Sequence, residues 1–148
     1  MSRIVGTSLR KVIGDRTGGA LVEFGLLAPV FIAMMIGVVQ VGIYMQNYTA
    51  VRSLASDASR FAAVEYQKTN DLSTSVLESD IAAMAVTSPY NLNADYLTVT
   101  VAEVASDVNG ARKFDLTLDY NVPSFLSGVG FSPITLTYDR PLYVIDNS

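Results

Sequence analysis

From residue 24 to residue 45 the chain reads FGLLAPVFIAMMIGVVQVGIYM, with no charged side chain and with Gln40 as the one strongly polar residue. As an α-helix rising about 1.5 Å per residue, this run covers ~33 Å, against a hydrocarbon core of about 30 Å. Gly25, Gly37 and Gly42 would weaken a helix in water but are common in membrane helices. A buried helix of a soluble core is the competing reading, and the length and unbroken apolarity of the run weigh against it. The expectation is a single transmembrane helix.

Charge then orients the chain. Arg3, Arg10, Lys11 and Arg16 precede the run with only Asp15 to offset them, whereas beyond residue 45 acids outnumber bases. By the positive-inside rule the N-terminus is expected in the cytoplasm and the acidic C-terminal region on the far side. That acidic balance, within a formal net charge of −4, weighs against a nucleic-acid partner. The chain has no His and no Cys, so the usual zinc, haem and iron–sulfur ligand sets cannot be assembled. Ser-His-Asp and Cys-His catalysis go with them, and no Gly-rich phosphate loop or GxSxG elbow is present. The sequence therefore predicts no enzyme, no catalytic residues, no metal and no cofactor.

A secretory signal also begins basic and continues apolar, but its apolar core usually spans about 7–15 residues and ends at a small-residue cleavage site. Here the run is longer and continues as QNYTAVRS. A carboxylate, Glu23, stands at the start of the run, preceded by Gly18-Gly19-Ala20-Leu21-Val22. One reading makes Glu23 a helix N-terminal acid favoured by the macrodipole, worth roughly 0.3–1 kcal/mol. The other makes it an unpaired charge at a membrane edge, costly enough to seek a cation on a neighbouring molecule.

The string GDRTGGALVEFGLLAPVFIAMM resembles the processing site of class III signal peptide proteins, the prepilin-like subunits of type IV pilus systems. The Glu23-Phe24 step is similar to that of the tight-adherence (Tad/Flp) branch. The resemblance implies that a prepilin peptidase removes a basic leader, residues 1–18, by cutting between Gly18 and Gly19. Cleavage after Gly19 is the alternative left by the doubled glycine. It also implies an assembly role for Glu23 and Phe24 and a helix kink at Pro29, where proline removes a backbone bond. Glycines on both sides of the bond would permit an extended, open backbone for the peptidase. Ala33 and Gly37 offer a weak small-xxx-small packing pair, and Gln40 is expected to face a helix partner or the headgroups.

Past the membrane run, Val51, Leu54, Ala55, Ala58, Phe61 and Ala62 keep helical spacing, with Arg52, Ser56, Asp57, Ser59 and Arg60 mostly opposite. One helix over about 19–66 is the simplest reading, closed by Thr69-Asn70-Asp71. A second helix is expected from near Asp71 or Ser75 to Thr87, with Ser75 and Glu78 at capping-box spacing, Val76, Leu77, Ile81 and Met84 as its apolar stripe, and Ser88-Pro89 closing it. From there the period becomes two. Strands are expected at 96–104, 114–121 and 134–139, the last resuming at 142–145, with Asn109-Gly110 as the first turn. Asp107 and Asn109 read as turn residues rather than a calcium loop, because the EF-hand spacing is missing. The fold class is α+β: a long N-terminal helix (transmembrane half, then amphipathic half), a short second helix, and a small antiparallel sheet packed on the helix.

This layout resembles the TadE-like minor pseudopilins, and YNVPSFLSGVGFSPITLTYDRPLYV is similar to their late strand, apolar loop and final strand. The implied organisation is leader 1–18, transmembrane helix 19–45 and extracytoplasmic pilin-like domain 46–148. The implied function is pilus assembly from the bacterial inner membrane. Its partners would be the prepilin peptidase, other pilin or pseudopilin subunits, the assembly platform and the lipid bilayer, with incorporation into the extracellular pilus as one outcome. In the loop after the second strand, Phe125, Leu126 and Phe131 offer a partner contact, or else fold onto their own sheet. The alternative function is an uncleaved single-span protein whose acidic periplasmic head binds an envelope partner.

Overall fold

The computed structural model describes residues 16–69, 72–125 and 132–145. Helix α1 spans Arg16–Thr69 and α2 spans Thr74–Ala85. A short 3₁₀ turn, Ala94–Tyr96, leads into β1 (Leu97–Val104), followed by β2 (Ala111–Val122) and β3 (Ile134–Ile145). The chain divides into two compact units, residues 1–39 and 40–148. The described part of the first is helix alone, and its large apolar side chains from Leu21 to Val39 are mostly exposed. The second is an α+β head.

In the head, the three strands form an antiparallel sheet in the order β1-β2-β3. Strict alternation along β2 buries Phe114, Leu116, Leu118, Tyr120 and Val122. Against them lie Val51, Leu54, Ala55, Ala58, Ala62 and Tyr66 of α1, and Leu77, Ile81 and Ala85 of α2. The two amphipathic periods, 3.6 and 2, thus meet in one core. The opposite sheet face is polar: Thr117 donates to Asp139 and Thr135 to Asn121, both at 2.8 Å, between residues directly paired across the strands. At Gly110 the β1–β2 turn takes φ +74, a conformation that strains residues with a Cβ.

Several local readings change. The N-cap of α2 is Ser73 rather than Ser75, and its side chain meets the Ser75 hydroxyl instead of a backbone amide. No capping box forms, because Glu78 is engaged elsewhere: its Oε1 accepts the Val101 N–H of β1 at 2.8 Å. That bond satisfies an amide on the free edge of β1 and ties α2 to the sheet. Val76 is half exposed, since α2 buries the i, i+4, i+8 row Leu77, Ile81 and Ala85. The helix stops at Ala85, ahead of Ser88-Pro89, and Tyr96 belongs to the 3₁₀ turn rather than to β1. Strand β3 runs unbroken through Pro141, which is tolerated because the outer side of an edge strand needs no donor.

Candidate membrane and assembly site

Helix α1 begins at Arg16, so Gly18 and Gly19 lie in its first turn, exposed and helical. The extended backbone expected at this bond is therefore not the resting conformation. Opening it would unwind one terminal turn that two glycines already weaken, by roughly 1 kcal/mol each relative to alanine. A Cβ on Gly18, Gly19, Gly25, Gly37 or Gly42 would meet nothing within 4 Å. None of these glycines is required by packing inside the chain.

Glu23 is exposed among Leu21, Val22, Phe24, Leu26 and Leu27, which are 54–73% exposed. It makes no ion pair among the described residues. The first turn of α1 contains no acid, and Glu23 sits roughly two turns beyond Arg16, past the reach of the helix terminus. The macrodipole therefore does not account for this carboxylate in the full-length helix. Phe24 is 69% exposed, and α1 continues as helix through Pro29. An 18-residue window of this helix has a mean hydropathy of 2.3, and among the described residues it is the one helix long and apolar enough to cross a membrane. Such a helix suggests a single-span membrane protein.

Gln40 differs from its neighbours. It is 7% exposed, its Nε2 donates to the Pro123 carbonyl at 3.1 Å, and its Oε1 accepts the Phe125 N–H at 3.3 Å. The polar residue of the apolar run thus serves its own chain, capping two backbone groups just past β2, rather than a helix partner or headgroups. Ile43 and Tyr44 also pack on the head core. By packing, residues 40–45 belong with the head, although their sequence continues the membrane run. Phe125 itself is 72% exposed; Leu126 and Phe131 lie outside the described residues.

Other side chains brace the head. Arg112 makes a two-pronged contact with Glu103, at 2.8 and 2.9 Å, and covers the rings of Phe114 and Tyr66. The Arg112 bond holds the Glu103 carboxyl below the usual carboxylate range. Arg140 reaches Ser56 on α1 at 3.1 Å, and the Tyr90 hydroxyl donates to Asp57. Burial and that bond push the Tyr90 hydroxyl up to about 12. Asp107, in the β1–β2 turn, accepts from the Tyr143 hydroxyl at 3.0 Å and lies 3.7 Å from Lys113. Sequence reasoning missed these pairings, of which Arg140–Ser56, Tyr90–Asp57 and Asp107–Tyr143 join residues far apart in the chain. Among the described residues no three carboxylates gather to hold a metal ion.

Residues 18–60 match a family model described as TadE-like protein. Over that segment the chain is similar to TadE-like proteins. The match takes in Gly18, Glu23, Phe24, Pro29, the apolar run and the buried Val51–Ala58 stripe, so the similarity lies in the helix. The sheet lies outside the matched segment. No curated protein and no solved structure matches.

Proposed function

We propose that this chain is a minor pseudopilin that takes part in assembling a tight-adherence type IV pilus after prepilin-peptidase processing. The observation that carries the reading is Glu23, a carboxylate exposed on the apolar surface of α1 and without an ion pair among the described residues, inside the segment that matches the TadE-like family. An isolated carboxylate costs on the order of 2.5–3.5 kcal/mol at a bilayer centre and less near its edge, so a cation supplied by a neighbouring subunit is a strong attractant. Removal of the basic leader at Gly18-Gly19 would create such a cation, the ammonium of the new N-terminus. The chain then acts by assembly rather than catalysis. Its helix is held in the inner membrane with the head in the periplasm. The peptidase, fellow pilin subunits and the assembly platform are its partners.

The test is incorporation. The wild-type chain is expected in the sheared pilus fraction or in complexes with other pilus subunits. Glu23→Ala should remain in the membrane at normal abundance and lose that association, while Glu23→Asp should retain part of it. Normal incorporation of Glu23→Ala would remove the proposed role of the carboxylate.

A further inference from the structure

At the end of the head where β2 meets β3 through the pair Val122 and Ile134, the chain presents apolar side chains to the outside. Phe125 is 72% exposed and Ile134 49% exposed, although Ile134 shares the core-facing register of β3 with the buried Leu136. These residues are held at a defined height, because Gln40 bonds both the Pro123 carbonyl and the Phe125 N–H. Gln40 precedes Met45, the last residue of the uncharged run, by five positions, or about 7–8 Å of helix. Phe125 is therefore fixed beside a point inside the apolar run, not above it.

A second feature lies about 6–12 Å further along α1. Tyr44 and Tyr48 of α1 stack at 6.5 Å, and Tyr48 meets Tyr138 of β3 edge-on, also at 6.5 Å. A tyrosine cluster straddling the end of the run at Met45 is the pattern of a membrane–water interface, where aromatic rings rest among headgroups. The depth of Gln40 within the run agrees with the roughly 5–10 Å at which apolar side chains of interfacial elements sit.

We infer that the Phe125 end of the head is a second membrane contact: Phe125 and Ile134 enter the outer part of the bilayer at the level of Gln40, with Gln40 as the positioning residue and the tyrosines as the interfacial collar. The occupant of this surface is lipid rather than a neighbouring subunit, because Gln40, which holds it, itself belongs to the uncharged run. The inference rests on the single-span reading, and the chain has no Trp, so one introduced indole reports on each separately.

Full-length Phe125→Trp and Phe31→Trp would be reconstituted singly in nanodiscs containing lipids brominated either near the headgroup or near the chain terminus. The indole of Phe125→Trp is expected to emit to the blue of free indole and to be quenched more by the shallow bromine than by the deep one. That of Phe31→Trp should be quenched with the deep bromine favoured. Quenching at position 31 without quenching at position 125 overturns the second contact and leaves the span intact. A blue-shifted but unquenched indole in Phe125→Trp, with emission that depends on protein-to-lipid ratio, overturns it in favour of a second copy. Absence of quenching at both positions overturns the span as well.

Discussion

The bond from Glu78 to the Val101 amide makes a strong local prediction. It is a charge-assisted hydrogen bond of 2.8 Å between α2 and the unpaired edge of β1, at a half-buried carboxylate. Such bonds contribute about 1.5–3 kcal/mol, and removal of the acceptor also leaves a backbone donor unsatisfied. Glu78→Ala should therefore destabilise the head by roughly 2 kcal/mol, and Glu78→Gln, which keeps a neutral acceptor, by about half as much. For a head of roughly 100 residues, 1 kcal/mol corresponds to about 4–5 °C in Tm. The alanine variant should accordingly unfold ~9 °C lower, with the glutamine variant between it and wild type. The assay is thermal unfolding of the full chain in detergent, paired with hydrogen exchange at the Val101 amide. A Glu78→Ala midpoint within about 2 °C of wild type, with Val101 protection unchanged, would refute the reasoning.

Other perturbations follow from the same geometry. The folded Tyr90 hydroxyl holds its proton to about 12, against about 10 unfolded. Its stabilising share is complete below about pH 10 and is lost as pH climbs through about 12. Absorbance titration should show one late-titrating tyrosine that disappears in Tyr90→Phe; an unchanged late phase would contradict the Asp57 contact. Leu54, fully buried at the centre of the α1 stripe, should cost about 2–5 kcal/mol on truncation to Ala, read by denaturant unfolding. Because Gln40 satisfies Pro123 and Phe125, Gln40→Ala should accelerate exchange of the Phe125 amide about fivefold or more, the equivalent of ~1 kcal/mol.

Much of the fold was legible because it rests on periodicity. The Val51, Leu54, Ala55, Ala58 and Ala62 stripe and the Phe114, Leu116, Leu118, Tyr120 alternation are buried as their spacing requires, and Gly110 turns the first hairpin. What was hidden depends on side chains that meet across long separations. The partners Glu78 and Val101, Gln40 and Pro123, Arg140 and Ser56, and Tyr90 and Asp57 leave no local pattern. Ser75 and Glu78 had capping-box spacing, but the amide at the β1 edge is a better-placed donor for the Glu78 carboxylate, so the local rule yielded to a tertiary one. Gln40 looked like a membrane residue because its neighbours in sequence are lipophilic, whereas its neighbours in space are backbone polar groups. For the proposed assembly site, the doubled glycine and Glu23 were visible as a motif; the setting of Glu23 on an exposed apolar helix surface, two turns from the helix start, needed the structure.

The central claim, that this chain is processed before it assembles, is tested most directly by intact mass and N-terminal sequence of the membrane-extracted protein, expressed with and without a prepilin peptidase of the tight-adherence type. The account predicts a peptidase-dependent start at Gly19, with Ala20 as the start if the second glycine marks the cut. A start at Met1 under both conditions would contradict it and leave an uncleaved single-span protein with an acidic head.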